Sequence, residues 1–215
     1  MANHCYNHVS FSGSHEGLEK LASRIKLVVT EAENIDAFKL NHNYLGLSGY
    51  NYHRILGTKK KNLSLVSHKD VYQEYGSKWF ECNYEIYEKE GVFGAIDLSG
   101  DSAWSPMIPF IAKICKKFKL EAEGFYEESG MDFAGDYIID SNGNIEENQM
   151  TYKEYQAKDN PEGYWENLMD DIQEGSYETL AEIYKTLETH KFHLTEEDVK
   201  VIDDEFTKYK EANSE

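Results

Sequence analysis

Polar and apolar positions alternate with a period of two over residues 4–12. Cys5, Asn7, Val9 and Phe11 fall on one side, and His4, Tyr6, His8 and Ser10 on the other. That period predicts a half-buried strand. After Ser14, a residue suited to capping a helix, Leu18, Leu21, Ala22, Ile25 and Val28 recur at helical spacing and predict an amphipathic helix. Alternation returns from Glu81 to Glu88, with Cys82, Tyr84 and Ile86 inward. A Glu90-Gly91 turn leads into a return strand that puts Val92, Gly94, Ile96 and Leu98 on one face. Ser105 as cap and Pro106 at the next position then open a second helix. Its buried face is Ile108, Ile111, Ala112, Cys115 and Phe118, and Leu120 to Tyr126 follows as a strand. Strand, helix, two strands, helix, strand is the succession of a ferredoxin-like split βαβ unit. It predicts an α+β fold with both helices on one face of an antiparallel sheet.

Residues 126–137 continue as a strand running into a turn, where Gly130 and Gly135 are expected at positive φ. Tyr137 to Asp140, the turn Ser141-Asn142-Gly143-Asn144 and Ile145 to Thr151 predict an added hairpin, because Asn-Gly is a strong two-residue turn. Asp159-Asn160-Pro161 breaks the chain. Helices are then expected from Tyr164 to Ile172, from Tyr177 to Glu188, and behind a Thr195/Asp198 capping box. Leu168, Ile172, Leu180, Ile183, Leu187, Val199, Ile202 and Phe206 supply apolar faces, which predicts packed helices rather than a disordered tail. The organisation expected is a ferredoxin-like α+β domain over 1–158, with an irregular insertion at 37–79, and a helical C-terminal appendage over 159–215.

Charge sharpens that division. Of the chain's net −18, residues 159–215 carry −12, from 17 acids against 5 lysines, whereas residues 37–79 carry +5. The basic stretch holds Lys39, Arg54, Lys59, Lys60, Lys61, Lys69 and Lys78 interleaved with Tyr44, Tyr50, Tyr52, Tyr72 and Tyr75. Such a composition can stack bases and hold phosphates. The plainer alternative, and the favoured one, is a loop-rich subdomain whose tyrosines cover a small core. No apolar run approaches the roughly 18 residues of a membrane span, and no signal peptide opens the chain, so a cytoplasmic protein is expected. Cys5, Cys82 and Cys115 are too sparse for a disulfide framework or a zinc knuckle.

Two groups of residues carry candidate chemistry. Glu127, Glu128, Asp132 and Asp136 crowd one connection and could hold a divalent ion, although their spacing matches no calcium loop. Lys78, Trp79, Trp104 and Tyr126, with Arg54, Lys59, Lys60 and Lys61, could line an aromatic, basic pocket for a small ligand. The competing view of the tryptophans is that they pack as core or staple residues. His4 and His8, four residues apart in a strand, stand about 13 Å apart and cannot share one ion. No serine sits in a nucleophile elbow, the histidines beside Cys5 fall on the opposite side of its strand, and no cofactor fingerprint is present. A non-enzymatic protein without a cofactor is therefore expected.

The blocks Met1-Ala2-Asn3 with Val9-Ser10-Phe11-Ser12-Gly13, Tyr75-Gly76-Ser77-Lys78-Trp79, Ala103-Trp104-Ser105-Pro106 and Tyr126 to Tyr137 together resemble the YubB ferredoxin-like family. They cover residues 1 to about 140. His4, Phe80 and Met107 depart from the family pattern, where Trp, Asp and Pro are usual. The resemblance implies a ferredoxin-like fold and a setting on plasmids or phages, and it brings no catalytic residues. The leading expectation is thus a binding protein of a mobile element that docks its acidic surface on a host protein with a basic surface, inhibiting a nuclease or defence system. Acidity that merely keeps the protein in solution is the plain counterpart. The alternatives are a binder that sequesters a small nucleotide-like ligand and a metal-dependent enzyme. Direct nucleic-acid binding is disfavoured by the net charge.

Overall fold

The computed structural model describes residues 3–33, 44–48, 50–58 and 68–213. They form two compact units, Met1–Met131 with Gly135–Gln149, and Asp132–Ala134 with Met150–Glu215.

The first unit is built on a seven-stranded antiparallel sheet. Its strands are β1 (His4–Gly13), β2 (Tyr44–Ser48), β3 (Trp79–Lys89), β4 (Val92–Ala103), β5 (Leu120–Glu128), β6 (Phe133–Ile139) and β7 (Ile145–Met150), in the order β2-β3-β4-β1-β5-β6-β7. The four central strands with α1 (His15–Glu33) and α4 (Ile108–Phe118) make the ferredoxin-like α+β unit. The two helices pack on each other, α1 also on β1 and β4, and α4 on β5, so both cover the same face. Alternation explains why: Cys5, Asn7, Val9, Phe11, Phe80, Cys82, Ile96, Leu98, Leu120 and Ala122 are all buried on the helix side. Leu18, Leu21, Ala22, Ile25 and Val28 of α1 meet them. The Ser14 hydroxyl caps α1 by accepting the Gly17 amide at 3.2 Å.

Several local expectations are corrected. Residues 44–48, 50–55 and 68–75 are not irregular. They form β2 on the sheet edge, α2 (Tyr50–Ile55) and α3 (His68–Tyr75). Tyr52 and Tyr75 stack at 4.8 Å and meet Phe110 edge-on, so these two tyrosines are core residues and present no stacking surface. The return strand runs on to Ala103. Met107, not Ser105, is the N-cap of α4, and it makes no side-chain cap bond. Gly130 and Gly135 do not take positive φ. Asp132 does, at 52°. What Gly135 supplies is room, since a Cβ there would lie 2.5 Å from the Tyr126 hydroxyl. Gly124 does the same for Tyr137, whose hydroxyl a Cβ would meet at 2.6 Å. Two tyrosine rings thus lie over two glycines of the neighbouring strand, which fixes the β5–β6 pairing.

The second unit contains α5 (Tyr152–Asp159), α6 (Pro161–Gln173), α7 (Leu180–Thr189) and α8 (Glu196–Ala212). The helix α5 lies upstream of the chain break at Asp159, and α7 begins at Leu180 rather than Tyr177. Thr151, Thr179 and Thr195 each close a full capping box with the acid three residues on, which satisfies helix amides that would otherwise be orphaned. Tyr164, Leu168, Ile172, Ile183, Leu187, Ile202 and Phe206 form a separate core.

Candidate functional site

The short blocks singled out in the sequence meet at one place, the exit of β4 toward α4. Asn7 lies wholly buried on the helix side of β1. Its amide nitrogen donates to the Cys5 carbonyl at 2.7 Å and to the Ser102 hydroxyl at 2.9 Å, and its oxygen accepts the Met107 amide at 2.9 Å. The Ser102 hydroxyl donates to the Ser105 carbonyl at 2.7 Å, and the buried Ser77 hydroxyl donates to the Ala103 carbonyl at 2.7 Å. Ser105 turns its hydroxyl onto the Gly76 carbonyl instead of capping α4. Buried polar groups are stable only when paired, and these are. The knot therefore pins the β4–α4 connection to β1 and to the α3–β3 turn, and it has no nucleophile poised for reaction. An inward asparagine in an otherwise apolar stripe was the sequence signal for it.

On the outside of this knot stands an aromatic corner. Trp104 is 54% exposed and adopts φ 72°, a left-handed conformation that costs a non-glycine residue about 1–2 kcal/mol. Its amide donates to the Asn3 carbonyl at 3.0 Å. Trp79, half-buried at the start of β3, meets His4 edge-on at 5.3 Å, and His4 lies 3.8 Å from Asp101. Lys78 is exposed beside them in sequence. Tyr126 is not part of this corner. Its side chain is buried on the helix-covered face and donates to Glu147 at 2.6 Å, whereas Trp79 points to the opposite face. Burial and the neighbouring carboxylate push the Tyr126 hydroxyl well above the ordinary tyrosine range. Arg54 is half-buried on α2, and Lys59, Lys60 and Lys61 lie outside the described residues. The structure thus gathers Lys78, Trp79 and Trp104 at one end of the sheet and leaves Tyr126 apart.

The carboxylates of residues 127–136 do not converge. Glu128 is buried and is occupied by the amides of Gly130 and Met131, while Glu127 points to the other face of β5. Among the described residues no three His, Cys, Asp or Glu side chains come together as a metal-holding group. The three thiols are buried and free, and burial pushes Cys5 and Cys115 up to about 12, far from a reactive thiolate.

In the helical unit the acids lie outside its apolar core. Glu162, Glu166, Asp170, Glu174, Glu178, Glu182, Glu188, Glu196, Glu197, Asp204 and Glu211 are exposed. Lys191 pairs with Glu154 at 2.9 Å and Lys208 with Glu205 at 2.5 Å, and with 17 acids against 5 lysines over residues 159–215 most of the negative charge is not neutralised internally. No helix of the described residues is long and apolar enough to cross a membrane.

The fold and the knot define an α+β protein with a ferredoxin-like domain. Residues 83–174 match the family model of the ferredoxin-like domain in Api92-like protein. Among solved structures the chain is similar to the protein Api92 from Yersinia pseudotuberculosis, at 11% identity and a TM-score of 0.38, over 70% of this chain and 98% of that one. No curated protein matches the chain.

Proposed function

We propose that the protein is a non-enzymatic docking protein that presents the acidic surface of its helical unit to a protein partner with a basic surface. The supporting observation is that the acids of residues 159–213 sit on a capped helical unit with a core of its own. A tail whose charge served only solubility needs no fixed shape. Fixed carboxylates can match the spacing of lysines and arginines on a partner, as the phosphates of a nucleic acid do. With the setting that the YubB resemblance implies, the partner would be a host nuclease or defence protein in the cytoplasm, blocked at its nucleic-acid groove. In the test, the tagged chain captures proteins from lysates of cells that carry its gene, and elution follows in salt steps. A variant with Glu166, Glu174, Glu188 and Asp204 changed to Gln or Asn runs in parallel. A partner released at moderate salt and lost from the variant supports docking, and one retained equally by the variant overturns it.

A second reading rests on Trp104. An exposed indole held in a strained backbone suits stacking on a planar ligand, and Lys78 beside Trp79 could meet its phosphate, as in a protein that sequesters a nucleotide signal. Quenching of tryptophan fluorescence by mononucleotides, abolished in Trp104→Ala, would support it, and unchanged fluorescence would exclude it.

A further inference from the structure

The surface of the helical unit holds a half-open pocket of about 240 Å³ that the docking reading does not use. Its floor is apolar, made by Leu168 and the ring of Tyr164, both buried. Its walls carry both signs of charge: Lys153 from α5, and Asp170 with Asp171 from α6. None of these three forms an ion pair among the described residues, with one another or with any other side chain. Opposite charges that face one small space without joining are solvated separately, and each can still take a counter-charge from a ligand.

Tyr164 links the two ends. Its hydroxyl lies 2.6 Å from His190 Nδ1. The Lys153 charge acts on His190, and the Asp171 charge acts on Tyr164 and Tyr177. Burial, helped by Lys153, holds His190 below the ordinary histidine range, so the ring is neutral at pH 7 and adds no second cation. The cationic side of the cavity is therefore Lys153 alone, and the anionic side is the aspartate pair. A space of this volume has room for a molecule of amino-acid size.

We propose that this cavity binds a small zwitterion of the α-amino-acid class, its carboxylate toward Lys153 and its ammonium toward Asp170 and Asp171. The hydroxyls of Tyr164 and Tyr177 flank the ligand between the charges, and Leu168 lies under its side chain. A purely anionic ligand would meet the two aspartates, and a purely cationic one would meet Lys153. Only a molecule carrying both charges satisfies the whole lining.

The test uses the full chain, ¹⁵N-labelled, titrated with each proteinogenic amino acid and with the N-acetyl and carboxamide forms of any that bind. The expected result is saturable movement of the Tyr164, Tyr177 and His190 amide resonances by at least one amino acid. Blocking either charge, or introducing Lys153→Ala or Asp171→Asn, should weaken binding by about tenfold or more, the equivalent of one charge-assisted contact. Both substituted side chains lie outside the core, and unmoved Ile183 and Ile202 resonances report an intact fold. No movement with any amino acid up to about 10 mM, beyond the weakest affinity expected of so small a ligand, overturns the proposal. Blocked forms that bind as well as their parents overturn it too, and leave the acidic docking surface as a separate question.

Discussion

The side-chain oxygen of Asn7 in β1 accepts the backbone N–H of Met107, the residue that opens α4, at 2.9 Å. The chain carries no cap for this helix next to it in sequence. Instead, the amide is satisfied from a strand about a hundred residues earlier, and the cap doubles as a clamp between sheet and helix layer.

Replacing Asn7 by Ala removes that acceptor and strands the Met107 amide in a dry interior. Ser102 has one hydroxyl proton, which stays on the Ser105 carbonyl at 2.7 Å and leaves the Cys5 carbonyl at 3.3 Å only a share of it, so the Met107 amide is the principal loss and the Cys5 carbonyl a smaller one. An orphaned buried donor costs about 1–3 kcal/mol, and the vacated space adds to it, for a total of about 2–4 kcal/mol. Ser102→Ala should cost about 1 kcal/mol, because Asn7 retains two of its three bonds. Amide exchange of Val9 and Phe11 reads the stability of this unit directly. Equal protection in the two variants would mean that Asn7 is no clamp.

Gly76 and Gly91 both take positive φ, at 88° and 79°, but their surroundings differ. A Cβ on Gly91 meets nothing within 4 Å, whereas one on Gly76 would lie 2.7 Å from the Pro106 carbonyl oxygen and 2.7 Å from Pro109 Cδ. Gly91→Ala therefore carries only the left-handed penalty of about 1 kcal/mol. Gly76→Ala adds a clash with backbone and a rigid ring, and should cost about 2 kcal/mol more. Comparable urea midpoints for the two variants would contradict the packing described around Gly76.

Much of this was legible in the sequence, and the limits have physical causes. Alternation placed Cys5, Asn7, Val9 and Phe11 on the helix side, and Thr195 with Asp198 marked the start of α8, because strand parity and capping are local properties. The elements β2, α2 and α3 were not legible. They are short, their segments are rich in Asn, Gly and His, and β2 is set by pairing with β3, not by its own periodicity. Ser105 has every local property of a cap, yet a carbonyl on Gly76 competes for its hydroxyl. Gly135 owes its identity to the Tyr126 ring on the next strand. The division of the candidate pocket could have been read. Cys82 inward makes Trp79 outward, and Leu120 with Ala122 inward makes Tyr126 inward, so parity alone separates Trp79 from Tyr126.

Tyr126 and Tyr137 form a second contrasting pair. Both rings are buried over glycines, but the Tyr126 hydroxyl donates to Glu147 while that of Tyr137 has no hydrogen-bond partner among the described residues. Tyr126→Phe should cost about 1 kcal/mol. Tyr137→Phe discards only an unsatisfied buried hydroxyl and should leave stability unchanged or raise it by about 1 kcal/mol. The thermal midpoint of the first unit measures both, and a large loss in Tyr137→Phe would reveal a partner for that hydroxyl.

Glu154 ties the start of α5 to Lys191 and gives the helical unit a pH-dependent element. Its carboxylate accepts the Thr151 amide at 2.9 Å and meets Lys191 at 2.9 Å. The Thr151 amide first, and Lys191 next, hold its carboxyl below the ordinary glutamate value of 4.5. A carboxyl lowered in the folded state binds fewer protons there than in the unfolded chain. Its contribution is therefore complete above the unfolded value and disappears as pH falls through the folded one. Glu154→Gln should be less stable than the parent at pH 7, and the gap should shrink as pH falls below 4.5 and close once pH has passed below the lowered folded value, where both side chains are neutral. The difference between the two proteins is the informative quantity. The repulsion among the surface acids also weakens on protonation, but it does so in both. Raising the salt at pH 7 should narrow the gap only in part, since it screens Lys191 and leaves the Thr151 bond in place. Urea midpoints reported by Trp165 fluorescence across this range provide the measurement, and a gap independent of pH would show that Glu154 is not ionised in its capping box.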